Sequence, residues 1–300
     1  MLSRRPRRMR DYLSLVTFSH TIFALPFAMI GYVLGVLSPR GTFSWTDLGL
    51  VIACMVTARS AAMGFNRLVD ADYDSANART AGRDIPAGRI SKTAAGMFVA
   101  ANAAGFVLCS GLLNGLCLAL SPVALAVVLG YSYTKRFTWL CHLVLGVGLA
   151  LAPIGAYVAV TGAFSWSTTL LGVVVLTWVA GFDIVYALQD REFDRAAGLN
   201  SVPTRFGESR SFWLARGLHV LSFGLLSVVS VLLARLYPAA ALGVAIAGLV
   251  FGAALLYQHR LVRPGKLDLI DRAFFTTNGV ASVVYAAVLI GGLWIASQTH

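Results

Sequence analysis

The chain has 300 residues, of which 58% are hydrophobic and 12% charged, with a mean hydropathy of +0.75 and a net charge of +11. A soluble domain carries about 25% charged residues, so this composition excludes a cytosolic domain or a disordered chain and describes a polytopic membrane protein. Nine spans of roughly 20 residues would use about 180 positions and leave no room for a large extramembrane domain.

Arg4, Arg5, Arg7, Arg8 and Arg10 precede an apolar run without a small-residue cleavage site, so that run reads as a retained first span after a basic tail over 1–11. Apolar runs predict spans near 12–37, 46–65, 93–114, 116–133, 139–161, 167–188, 211–234, 238–257 and 273–296. The break at Asn114 and Gly115 is the weakest boundary. With the N-terminus in the cytoplasm, every Lys and Arg except Arg40 and Arg235 falls on the cytoplasmic side. The positive-inside rule thus favours nine spans, N-terminus in and C-terminus out. In a soluble protein the basic excess would suggest nucleic acid. Here it encodes topology, and no nucleic-acid partner is expected. Cys54, Cys109, Cys117 and Cys141 lie in apolar runs and read as small core residues. The basic 260–272 loop suits anionic lipid headgroups.

Eight of the 13 acidic residues fall in two cytoplasmic clusters. The first holds Asp70, Asp72 and Asp74, with Asp84 beyond; the second holds Asp183, Asp190, Glu192 and Asp194. A helix turns about 100° per residue, so Arg59, Asn66, Asp70 and Asp74 share one narrow stripe, as do Asp183, Asp190 and Asp194. Asp72 and Glu192 fall on opposite faces and read as solvated. Facing stripes of carboxylates repel unless a cation lies between them. Hard oxygens at i and i+4 suit Mg²⁺, which binds through one or two carboxylates plus a substrate phosphate. Nearby Arg and Lys suit phosphate oxygens. Acidic and basic residues mixed at one membrane face therefore describe a metal–pyrophosphate site, the alternative being a set of interfacial ion pairs at helix ends.

At these residues the chain resembles the UbiA-type superfamily of intramembrane prenyltransferases. Asn66-xxx-Asp70-xxx-Asp74 and Asp190-xxx-Asp194 are similar to its two aspartate-rich motifs, and Asp183-xx-Tyr186 to the lead-in of the second. The stretch 77–88, the loop 131–136 and the segment 201–207 resemble further family segments. Two positions depart from the pattern: Arg67 stands where an Asp is usual and Asp84 where a Pro is usual. Both resemble a bacterial subgroup close to the 4-hydroxybenzoate enzymes, some of whose members prenylate a bicyclic naphthoate.

The resemblance implies an all-α bundle of nine transmembrane helices around a central cavity open to the cytoplasm, one domain over 1–300 with active-site loops at 66–92 and 189–210. It implies Mg²⁺-dependent transfer of a polyprenyl group from a polyprenyl diphosphate to an aromatic acid, 4-hydroxybenzoate-like or a dihydroxynaphthoate, in ubiquinone or menaquinone synthesis. Asn66, Asp70, Asp74, Asp190 and Asp194 are the implied metal ligands. Arg67, Arg79, Lys135, Arg136 and Arg195 are the diphosphate candidates. Arg59 is a candidate to neutralise the acidic site or to hold the diphosphate or an acceptor carboxylate. Asp183 has three candidate roles: orienting the acceptor, taking the ring proton, or pairing with a buried Arg. Tyr131, Tyr133, Tyr186 and Phe182 are candidates to shield an allylic cation with their π faces. The polyprenyl tail would pass sideways into membrane lipid. His20 and Asn278 are either acceptor contacts or packed polar residues. The alternatives are a haem or lipid prenyltransferase of the same superfamily, for which only His20 offers an axial ligand, and a membrane transporter, since intramembrane Asp and Arg also mark transport paths.

Overall fold

A computed structural model of the protein describes residues 21–298. The basic tail, the start of the first expected span, His20 and His300 lie outside the described residues. Eleven helices follow in order: α1 (Thr21–Val36), α2 (Trp45–Val69), α3 (Ala71–Ala76), α4 (Lys92–Leu113), α5 (Gly115–Thr134), α6 (Cys141–Thr161), α7 (Trp166–Tyr186), α8 (Arg191–Ala196), α9 (Val202–Leu236), α10 (Ala241–Leu261) and α11 (Asn278–Ser297). Among the described residues no strand forms beyond an isolated bridge between Arg263 and Lys266. Eight helices are long and apolar enough to cross a membrane, and a shorter apolar helix, Phe23–Val36, joins them. Each expected span thus has a helix, and the protein is an integral membrane protein.

The weak boundary at Asn114 is a true break. Its backbone is extended, with φ −166°, and its side chain accepts from the Cys117 amide at 2.9 Å, capping α5. Its Nδ2 donates to the Val158 and Ala159 carbonyls at 2.9 and 3.0 Å, which pins the turn to α6. The seventh span starts earlier than its hydropathy indicates. Ser201 and Thr204 form a capping box at Val202, and the chain kinks at Gly207, whose φ of 79° suits glycine.

The helices meet through small residues, as expected where lipid supplies no hydrophobic drive between helices. A Cβ on Gly31 would fall on the Pro153 carbonyl, so α1 and α6 touch backbone to backbone. Trp178, Phe27, Phe251 and Tyr285 fill the core, while Leu108, Val220, Leu249 and Trp294 are exposed on the outer faces, where lipid is the solvent. Asn278 is packed within the core: Trp178 donates to it at 3.2 Å, and it donates to the Ala273 and Phe274 carbonyls.

A chamber of about 580 Å³ lies within the bundle, walled by α1, α2, α4, α5, α6 and α7. One end is polar and carries the two acidic motifs. The other is lined by Leu113, Cys117, Leu120, Ile154 and Ala159.

Candidate active site

Both acidic motifs share one local design. α2 ends at Val69, Asp70 turns with φ −90° and ψ 8°, and α3 resumes at Ala71. α7 ends at Tyr186, a 3-10 turn leads to Asp190 with φ −98° and ψ 1°, and α8 resumes at Arg191. The sequence pattern describes each stripe as one unbroken helix, whereas the structure breaks each at its proximal aspartate. The stripe survives in the first motif because the break keeps i→i+4 bonding: Asp70 N donates to Asn66 O at 2.9 Å and Asp74 N to Asp70 O at 2.7 Å. Asp74 and Asp194 are buried in the two short helices, and Asp72 and Glu192 face out.

Four cations meet the four carboxylates. Arg136 reaches Asp70 at 3.1 Å, Arg83 reaches Asp74 at 2.7 Å, Arg79 grips Asp190 at 2.9 and 2.5 Å, and Lys135 reaches Asp194 at 2.9 Å. Asn66 Nδ2 donates to Asp70 at 2.9 Å, and Asn77 Nδ2 to Asp190 at 3.2 Å. Among the described residues no three His, Cys, Asp or Glu side chains converge closely enough to hold a metal ion. Burial would lower the Arg79 guanidinium, but the bonds and charge of Asp190 override it and hold it above its usual range. Lys135 behaves likewise: burial works against its charge, and Asp194 outweighs it and raises the ammonium. Asp70 differs, because burial raises its carboxyl more than Arg136 lowers it.

The loop between α5 and α6 is tied down. Arg136 caps the last carbonyls of α2 by donating to Val69 O at 2.9 Å, and Lys135 O accepts from Asn200 N at 2.6 Å. Both cations therefore approach the acidic elements on a braced loop.

Deeper in the chamber, Arg59 and Arg67 line the wall from α2. Arg59 Nε is buried with no hydrogen-bond partner. Tyr131 of α5 lies within electrostatic reach of Arg59, Asp70 and Asp183. Asp183 pairs with His142 at 2.6 Å, not with an arginine. Tyr186 stacks on Phe274 at 4.0 Å between centroids, with Arg79 5.9 Å from its ring centre. Tyr131, Phe182 and Tyr186 all line the chamber.

Two expected residues do not reach it. Tyr133 follows Tyr131 by two positions, about 200° round the helix. It is 41% exposed and packs on Phe65 under Arg136. Arg195 follows the buried Asp194 directly, about 100° further round α8, and is exposed. Three residues join the site without being singled out by the sequence pattern: Arg83, Asn77 and His142. Arg83 sits in the basic stretch after the first motif, which was its one signal. Asp84, the second departure, is 4% exposed and accepts from Arg89 at 2.7 Å, so it fastens the loop beside the site.

The chain matches the UbiA prenyltransferase family over residues 24–297. It belongs to that family. It is 29% identical over 256 residues to the 4-hydroxybenzoate octaprenyltransferase of Tolumonas auensis, covering 85% of this chain and 87% of that protein. It is 30% identical over 301 residues to the mitochondrial 4-hydroxybenzoate polyprenyltransferase of Homo sapiens, covering 98% and 78%. A UbiA homolog from Aeropyrum pernix K1 superimposes with a TM-score of 0.80 at 31% identity, over 91% of this chain and 97% of that one. A UbiA homolog from Archaeoglobus fulgidus bound to GPP and Mg²⁺ shares the fold, with a TM-score of 0.74 at 20% identity over 95% and 99%. Membership of the UbiA family makes the chain a prenyltransferase and sets the transporter alternative aside.

Proposed function

We propose that this UbiA prenyltransferase moves a polyprenyl group from its diphosphate to an aromatic ring acid, 4-hydroxybenzoate-like or a dihydroxynaphthoate, at the cytoplasmic face of a bacterial inner membrane. One observation carries the reading. Two acidic elements of matching geometry, each matched by cations, stand at the polar end of an apolar chamber that holds the buried, unpartnered Nε of Arg59.

Asn66, Asp70, Asp74, Asp190 and Asp194 would hold Mg²⁺. The donor set fits: it is oxygen only, and its carboxylates lie on two elements that approach from opposite halves of the chain. Bound there, Mg²⁺ supplies Lewis-acid charge to the leaving diphosphate. Arg79, Arg83, Lys135 and Arg136 exchange carboxylate partners for diphosphate oxygens, with Arg67 beside them. Arg195 is too exposed to join them directly. The deeper apolar wall excludes water from an allylic cation, and the rings of Tyr131, Phe182 and Tyr186 in the chamber lining shield it. Arg59 holds the acceptor carboxylate, since a second anion beside the aspartates needs a cation of its own. The relatives named for 4-hydroxybenzoate support the acceptor class.

The test is a product assay on the purified protein with Mg²⁺ and labelled farnesyl diphosphate. Its acceptors are 4-hydroxybenzoate, two dihydroxynaphthoates, haem and a glycerol lipid. A prenylated aromatic acid is expected. Product only with haem or the lipid would overturn the reading.

A further inference from the structure

Five carboxylates line the chamber. Asp70, Asp74, Asp190 and Asp194 each face an Arg or Lys at the polar end. Asp183 is different. It sits on α7 within electrostatic reach of Tyr131, and its Oδ2 meets Nδ1 of His142 at 2.6 Å. His142, on the first turn of α6, is 2% exposed, whereas Asp183 keeps 21% exposure towards the chamber it lines.

The far side of the ring fixes its proton. The backbone N–H of Val202 donates to Nε2 at 3.3 Å. An amide only donates, so Nε2 carries a lone pair and the ring proton sits on Nδ1. Val202 is the first residue of α9, where an amide has no partner within its own helix. A free helix-end amide thus sets the tautomer, and the neutral ring directs its one proton at Asp183. A neutral donor orients a carboxylate without cancelling its charge. A histidine that only joined α6 to α9 would need no carboxylate in the chamber wall.

We propose that His142 is a positioning residue that holds Asp183 as the acceptor of the ring proton. This inference rests on the aromatic-acceptor reading above. The allylic C–O bond breaks and its electron pair leaves on the diphosphate. A π pair of the ring forms the new C–C bond. The C–H pair at that carbon returns to the ring, and the proton passes to Asp183 and then to water at the polar end. No further reactant is required.

The test uses the full-length enzyme, farnesyl diphosphate, Mg²⁺ and an aromatic acid that it prenylates, with hydrogen or deuterium at the reacting ring carbon. Asp183→Asn and His142→Phe should each lower kcat about a hundredfold, the usual scale for a general base, with the KM for farnesyl diphosphate unchanged. Both should show a deuterium effect on kcat that the wild type lacks, because proton removal becomes the slow step. The double variant should be no slower than Asp183→Asn. His142→Asn, whose amide still donates towards Asp183, should recover activity to within about tenfold of wild type. Should His142→Phe fail to fold, Asp183→Asn and His142→Asn decide the question. Losses that multiply in the double variant, no deuterium effect, or a His142→Asn as slow as Asp183→Asn would reduce His142 to packing and overturn the proposal. A wild type that prenylates no aromatic acid would overturn the acceptor reading and this inference with it.

Discussion

Replacing Asp190 with Asn keeps the volume and removes one charge from the acidic site. Asp190 accepts two bonds from Arg79 and one from Asn77. Unit charges about 4 Å apart, at an effective dielectric of about 20, interact by about 4 kcal/mol. Each ~1.4 kcal/mol of lost transition-state stabilisation is about tenfold in rate, so Asp190→Asn should lower kcat/KM about a thousandfold. The matched control is Asp72→Asn. Asp72 is 86% exposed and pairs with Lys92 at 2.8 Å in solvent. An exposed pair is worth little, so the control should cost less than about fivefold. Initial rates of pyrophosphate release and of prenylated product, on protein of equal yield and equal melting temperature, give both numbers. Equal losses at positions 72 and 190 would refute the assignment of function to the inward face of the two motifs.

Other expected outcomes are as direct. Arg59→Leu should raise the acceptor KM or stop turnover while leaving farnesyl diphosphate binding intact; weakened diphosphate binding with normal acceptor kinetics would move Arg59 to the diphosphate site. Gly31→Val should destabilise the protein by about 1–3 kcal/mol in thermal unfolding, because the added side chain meets the Pro153 carbonyl and α1 must shift. On a background without the four native cysteines, Asp72→Cys should label in intact cells only after permeabilisation and His300→Cys before it; the reverse pattern would contradict the inside placement of both motifs.

The membrane class, the positions of the spans and the two acidic motifs were legible in the sequence because each is local. Apolar runs report spans directly, and an i, i+4 pattern of aspartates lies on one face whatever surrounds it. Exposed Asp72 and Glu192 follow from the same periodicity. What a face meets is not local. The outward Tyr133 and the inward Tyr131 differ only in helix rotation, which packing decides. Arg83 was one basic residue among several until the loop after α3 folded back on Asp74. The break at Asp70 leaves no mark in the hydropathy, since i→i+4 bonding runs through it. His142 and Asp183 are 41 residues apart, and Val202 a further 19 beyond. Only the docking of α6 against α7, with the start of α9 laid across their ends, turns an unremarked histidine into a neutral donor aimed at a chamber carboxylate. A hydrogen bond is made over about 3 Å whatever its separation in sequence, so this part of the site exists only in the tertiary structure.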